Sequence, residues 1–252
     1  MSSEPPLGLL RVRGAEAAKF LQGQLSNDMS ALDGERLMLA GLHNPQGRVL
    51  ALLRLAALAP DDIVALLPAE LAETTMATLR RYVLRAKVTV SHESSPASLA
   101  ELAAQLPAAA PALTAATHAA DIAAGLPQVY AATSGEFVAQ MLNLDCIGAI
   151  SFNKGCYTGQ EIIARAHYRG RMKRRMQRFV SNGPAALAPG QSIILADGRS
   201  AQLVDAVTLA DGRAEFLAVA ALAAGPAAAM GDITAAATLA VTPLQLPYAL
   251  PE

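Results

Sequence analysis

The sequence predicts an α+β protein in which mixed helices and strands come first and a β-rich module comes last. Apolar residues recur at helical spacing in two segments, and three other segments are short apolar runs with the character of strands. The helical segments are 14–25 and 69–84, and the extended ones are 37–42, 48–58 and 61–67. Beyond Met176, apolar segments alternate with Asp197-Gly198 and Asp211-Gly212, which are strong hairpin signals.

These patterns predict two regions. Residues 1–175 form an α/β region in which 91–120, rich in alanine, proline and serine, acts as a connector. Residues 176–252 form a small β-barrel. At 252 residues with 53% hydrophobic side chains, the chain is long enough to bury a sizeable core and is not disordered over most of its length.

Charge and cysteine content exclude several classes of protein. The net charge is −1, so nothing global favours nucleic acid or an anionic membrane as a partner. Cys146 and Cys156 are too few for a disulfide framework or a four-thiolate metal site, and we expect no tightly held metal. The start of the chain lacks the features of a secretion signal, and no apolar run approaches the length of a membrane span. We expect a cytoplasmic protein that makes no membrane contact.

The segment from Lys154 to Glu161 is the strongest candidate for chemistry. Thr158 and Glu161 have the spacing of a capping box, which would start a helix two residues after the thiol of Cys156. Amide groups at a helix start favour an anion, and a nearby lysine adds to that effect, so we expect a lowered pKa for this thiol. Gly155 and Gly159 allow backbone angles that other residues avoid. The alternative is a buried cysteine acting as a small hydrophobe.

This octapeptide, Lys154-Gly155-Cys156-Tyr157-Thr158-Gly159-Gln160-Glu161, resembles the signature of the YgfZ family of folate-binding proteins. Eukaryotic relatives of that family include a mitochondrial iron–sulfur assembly factor. The likeness extends around the octapeptide and reappears at three earlier segments, covering roughly half of the chain in the same order. The four stretches are 22–28, 44–48, 81–88 and 137–176.

The resemblance implies the fold and function of the family. The fold would be the aminomethyltransferase folate-binding type, a ring of small modules around a folate-sized hole, with a shortened middle module. The protein would bind tetrahydrofolate and support assembly or repair of iron–sulfur clusters in client enzymes, with an indirect effect on tRNA modification. Cys156 would be the functional thiol and Lys154 would help to hold it as thiolate. The residues expected to shape the folate site are Asn27, Gly155, Tyr157, Gly159, Gln160, Glu161 and Arg165.

Three departures from the related sequences limit this analogy. Ala51 and Leu52 stand where the glycine-cleavage aminomethyltransferase has an aspartate pair, so we do not expect aminomethyl transfer by that mechanism. Ala123 replaces a glutamate that grips the pterin in folate enzymes, which would leave ligand donors unpaired. The segment from Val90 to Ala120 is several dozen residues shorter than in relatives, so the folate site would be shallower or more open.

A basic stretch at 165–178 places seven cations in fourteen residues without an acid. It would bind phosphates or the polyglutamate tail of a folate, or simply face solvent. From the sequence we expect a solvated or tail-binding face rather than direct contact with nucleic acid. Two alternatives to the leading function remain, namely a non-catalytic folate-binding or scaffold module and an RNA-binding protein that uses this stretch.

Overall fold

A computed structural model describes residues 6–93, 115–222 and 238–251, together with 100, 102, 104 and 105. The first sheet has five antiparallel strands in the order β2-β3-β4-β1-β5. Its strands are β1 (Leu7–Arg13), β2 (Met38–His43), β3 (Val49–Ala59), β4 (Asp62–Pro68) and β5 (Thr89–Glu93). The sheet buries long apolar side chains such as Leu10, Leu53 and Leu55, which are fully enclosed.

The second sheet lies in the C-terminal part and has six strands in the order β10-β7-β8-β9-β6-β11. Its strands are β6 (Arg174–Pro184), β7 (Ser192–Leu195), β8 (Ser200–Thr208), β9 (Arg213–Ala221), β10 (Thr238–Leu239) and β11 (Val241–Leu244). Tight turns at Asp197-Gly198 and Asp211-Gly212 connect β7 to β8 and β8 to β9, with both glycines at positive φ. The hairpin predictions are confirmed. A second core forms here around the stacked rings of Phe179 and Phe216.

Four α-helices with fully described bounds accompany the sheets, and residues 100, 102, 104 and 105 are helical as well. The four are α1 (Ala17–Gln22), α2 (Ala72–Arg80), α3 (Ala115–Ala123) and α4 (Gln160–Arg169). The first two lie inside the predicted helical segments but are shorter. The predicted connector includes the end of β5 and most of α3, while much of 94–114 lies outside the described residues. Strands β1 and β5 and helix α3 were not foreseen from the sequence.

Buried polar contacts join the second sheet to the turn, helix and loop segments that precede it. Arg175 on β6 makes a two-pronged ion pair with Asp145, at 2.9 and 3.0 Å, in the turn that precedes the thiol segment. Asn143 in the same turn donates to the carbonyl of Met176. On another side, the carboxylate of Asp205 on β8 contacts His118 at 2.8 Å and accepts a bond from the hydroxyl of Tyr130 at 2.9 Å. The α/β region and the C-terminal sheet therefore share one polar framework.

The described residues contain no helix that is both long enough and apolar enough to cross a membrane. Within the same residues, no group of three or more histidine, cysteine or acidic side chains is placed to hold a metal ion.

We expect Asp145→Asn to lower the free energy of unfolding by about 3 kcal/mol, because it leaves the buried guanidinium of Arg175 without its counter-charge. Each of these side chains is only 4% exposed. Denaturant unfolding followed by circular dichroism measures the change. Glu161→Gln is the matched control, since Glu161 is 86% exposed in its ion pair with Arg165 and should cost less than about 0.5 kcal/mol. Equal losses of unfolding free energy in the two variants would contradict a stabilising role for the buried ion pair of Asp145 and Arg175.

Candidate functional site

Three of the four segments that carry the family resemblance meet around the octapeptide. The loop before α4 lies against the end of α1 and its following turn, which contain residues 22–28. It also packs against the turn at 44–47, between β2 and β3. Contacts that are distant in sequence therefore hold Lys154 to Gly159 in place. The fourth segment, 81–88, forms an exposed turn between α2 and β5.

Lys154 anchors this loop. Its ammonium group donates to three backbone carbonyls, those of Gln22 at 2.7 Å, Leu25 at 2.6 Å and Asn27 at 2.8 Å. The side chain is buried, and burial lowers the pKa of Lys154 to about 8 although the charge of Asp28 opposes that shift. An ammonium group has three donors, and carbonyls accept all three. Lys154 therefore has no hydrogen-bond donor left for Cys156. The expectation that its charge helps to hold the thiolate stays a prediction.

Tyr157 lies inside the core beneath the loop. The ammonium of Lys154 lies 5.1 Å from the centre of its ring, and the ring of His43 lies 6.1 Å away. Burial raises the pKa of Tyr157 to about 12 and lowers that of His43 to about 4, so both rings stay neutral. Tyr157 is therefore part of the packing that holds the loop, and its expected contact with a cofactor stays a prediction.

The backbone of Gly159 packs closely against the turn at 44–47. Gly159 adopts a φ of 82°, and a Cβ on it would lie 2.5 Å from the carbonyl oxygen of Asn44 and 3.2 Å from the amide nitrogen of Gly47. Asn44 fixes this turn, because its side chain accepts bonds from the amides of Gln46 and Arg48. Gly155 differs: its φ is not positive, and a Cβ there would meet nothing within 4 Å. The prediction of backbone angles that other residues avoid is confirmed for Gly159 and is wrong for Gly155.

The capping box predicted from Thr158 and Glu161 does not form. Helix α4 begins at Gln160 with Gly159 at its N-cap, and no side chain caps it. The side chain of Gln160 accepts a bond from the amide of Tyr157 at 3.3 Å, and Glu161 points outward to Arg165 at 3.5 Å. A left-handed glycine at the N-cap position leaves Thr158 outside the geometry that a capping box needs.

The two cysteines have different surroundings. Cys156 is exposed, beside the open position of Gly155. Cys146 is partly buried between Asp145 and Arg175, and burial raises the pKa of its thiol to about 11. Because the thiolate is the reactive form, the raised pKa disfavours reaction at Cys146 near neutral pH, and Cys156 is the more accessible thiol.

Asn27 lies at the edge of a cleft of about 330 Å³ beside the anchored loop. Its side-chain amide donates to the carbonyls of Leu39 and Gly148, both at 2.8 Å, and so fixes the two walls of the cleft. Half-buried apolar side chains form much of the lining, namely Leu37, Met38, Leu39 and Ile147. Arg36 and Asp33 also line the cleft and form an exposed ion pair at 3.5 Å, which a ligand carboxylate would have to displace. The sequence offered no signal for them, because the cleft joins segments more than 100 residues apart.

Other predicted positions lie elsewhere. Arg165 and Glu161 form an exposed pair on α4, away from the carbonyls that hold Lys154. Ala51 and Leu52 are buried in β3, and Ala123 is half-buried at the end of α3.

No protein-family model matches the chain. Individual proteins do. The tRNA-modifying protein YgfZ of Yersinia pseudotuberculosis is 28% identical over an alignment that covers 97% of this chain and 91% of the relative. An uncharacterized protein of Haemophilus influenzae is 33% identical, covering 67% and 69% respectively. The alignment with the Yersinia protein spans 303 positions, more than the 252 residues here, so that relative carries residues that this chain lacks.

The fold is also that of a solved enzyme. The glycine cleavage system aminomethyltransferase T from Bartonella henselae superposes with a TM-score of 0.63 at 15% identity, over 86% of this chain and 76% of the enzyme. At that identity the likeness establishes the fold, which is the expected α+β aminomethyltransferase type. The sequence matches, one of them nearly full-length, show that the chain belongs to the YgfZ family.

Proposed function

We propose that the protein binds tetrahydrofolate and supports assembly or repair of iron–sulfur clusters in client enzymes, some of which modify tRNA. The observation that carries the proposal is an exposed thiol on a rigidly anchored loop. Cys156 stands beside Gly155, where nothing crowds it, while Lys154 and Gly159 fix the backbone on both sides. The name of the Yersinia relative supports the connection with tRNA modification.

The thiol would act as a soft ligand or nucleophile. Thiolate is a preferred ligand of iron and of iron–sulfur clusters, and an exposed cysteine is able to meet a cluster on another protein. One thiol is too few to hold a cluster permanently. The arrangement therefore suits a transient bond to iron, sulfur or a one-carbon species during work on a client enzyme.

The cleft beside Asn27 suits a folate by its chemistry. Its volume of about 330 Å³ is within the range of small-molecule sites. Met38, Leu39 and Ile147 would contact the flat ring system, and Arg36 would pair with a glutamate carboxylate. Bound folate would supply or accept a one-carbon unit; the residues named here would only bind and orient it.

We propose that the protein works in the cytoplasm.

Titration calorimetry with tetrahydrofolate under reducing conditions tests the cofactor. We expect micromolar binding, weakened about three- to tenfold by Arg36→Gln because one charge-assisted bond is lost. The Arg36 side chain is 83% exposed, so the variant should fold normally. Arg85→Gln, an exposed arginine outside the cleft, should bind like the wild type. Absence of binding by the wild-type chain would remove folate from the proposal.

Replacing the thiol tests the chemistry. In a deletion strain, we expect Cys156→Ser to restore neither iron–sulfur enzyme activity nor the dependent tRNA modification, because serine cannot act as a soft ligand. Cys146→Ser should restore both, and folate affinity should be unchanged in each variant. Full rescue by Cys156→Ser would reject the thiol role and favour the non-catalytic folate-binding or scaffold alternative.

Removing the anchor tests how the loop is held. We expect Lys154→Met to lower the free energy of unfolding by about 2–3 kcal/mol, since three carbonyls at the end of α1 lose a buried donor. Lys19→Met is the control, because the Lys19 side chain is 85% exposed and its loss should change stability by less than about 0.5 kcal/mol. Chemical denaturation at neutral pH measures both. A wild-type midpoint for Lys154→Met would show that the three bonds do not hold the loop.

A further inference from the structure

Helix α4 carries a groove of about 280 Å³ on its outer face. Arg165, Tyr168 and Arg169 line it, with Glu161 and Ala164 at the end nearer the thiol loop. Residues three and four apart lie on one side of a helix, so Arg165 shares this side with both Tyr168 and Arg169. The function proposed above does not use this surface.

An aromatic cluster supports one edge of the groove. The rings of Phe152 and His167 stack with their centres 3.8 Å apart and their planes 16° apart. Tyr168 meets both rings edge-on, at 6.1 Å from Phe152 and 4.8 Å from His167. The tyrosine is nevertheless 67% exposed. Its ring is thus held in one orientation with most of its surface open to solvent, which is unusual for a side chain of this size.

The basic stretch divides into bound and exposed cations. Arg174 donates to the carbonyl of Val219, Arg175 pairs with Asp145, and Arg178 pairs with Glu215. The exposed cations are Arg165, Arg169, Arg171 and Lys173. The sequence contains no acid between Glu161 and Asp197. Glu161 contacts Arg165 at 3.5 Å, but both side chains are largely exposed, so this pair is weak and a stronger anion would displace it.

We propose that this surface binds single-stranded nucleic acid, with a base stacked on Tyr168 and phosphates paired with Arg165 and Arg169. Exposed aromatic rings combined with cations are the elements that recognise unpaired strands. A duplex keeps its bases stacked away from such a ring, and a polyglutamate tail would use the cations but not the tyrosine. This proposal departs from the expectation drawn from the sequence, and the stacked cluster of Phe152, His167 and Tyr168 is the observation that motivates it. The proposal is independent of Cys156 and of folate.

Fluorescence anisotropy with labelled 12-nucleotide oligouridine at 50 mM KCl tests the proposal. We expect dissociation constants of about 1–100 µM, and a slope of about −1.5 to −2 for log K against log salt, as two or three phosphate contacts require. Tyr168→Ala should weaken binding at least fivefold, and Tyr168→Phe should restore it because phenylalanine keeps the stacking ring. Arg165→Gln/Arg169→Gln should weaken binding and flatten the slope.

Controls separate this site from general charge attraction and from the proposed function. Arg81→Gln/Arg85→Gln makes the same charge change on the exposed turn between α2 and β5 and should bind like the wild type. Cys156→Ser should also bind oligouridine normally, and Tyr168→Ala should bind tetrahydrofolate normally. Oligodeoxythymidine of equal length, run in parallel, tells whether the natural strand is RNA or DNA.

Three results would each overturn the proposal. The first is no change in anisotropy with either strand up to about 100 µM protein. The second is equal affinity for a 12-base-pair duplex together with no effect of Tyr168→Ala, which would mean simple attraction to charge. The third is an equal or greater loss in the control pair Arg81→Gln/Arg85→Gln, which would place the strand elsewhere.

Discussion

The contact of one ammonium group with three carbonyls organises the functional end of this protein. Gln22 is the last residue of α1, where helix carbonyls lack partners, and Leu25 and Asn27 lie in the turn that follows. Lys154 satisfies the carbonyls of these three residues from a segment about 130 residues later in the chain. The same side chain therefore helps to position three features. These are the thiol loop, the wall of the cleft at Asn27 and the ring of Tyr157.

Sequence patterns predicted the parts of this fold that depend on local chemistry. The hairpins at Asp197-Gly198 and Asp211-Gly212 and the strands around the Asn44–Gly47 turn follow from turn residues and alternation. Strand β1 was missed although it lies inside the first sheet, because its run Leu7–Arg13 is short and includes two arginines. One of them, Arg11, is neutralised by Asp62 at 2.6 Å, a tertiary pairing that the local pattern does not contain.

In the candidate site, too, local sequence predicts some features and tertiary contacts decide others. The exposed Cys156 and the left-handed Gly159 were predictable from the octapeptide itself. The target of Lys154 was not, since its partners are main-chain atoms and therefore leave no trace in residue identity. The prediction of a capping box was wrong for a related reason. The T-x-x-E spacing shows which side-chain hydrogen bonds are possible, but the backbone conformation at the helix start is set by the close approach of Asn44 to Gly159. The roles of the exposed arginines likewise depended on which cations the second sheet had already paired.

The carboxylate of Asp205 has a consequence for how the chain is assembled. It is 1% exposed, and burial raises its pKa, so its stability in the interior depends on the hydroxyl of Tyr130 and the ring of His118. Those partners belong to the α/β region, whereas Asp205 belongs to the C-terminal sheet. A chain cut near residue 175 would leave Asp205 with the amide of Ala206 but without the partners that the earlier residues supply. We therefore expect the C-terminal sheet to depend on those residues for the burial of this carboxylate.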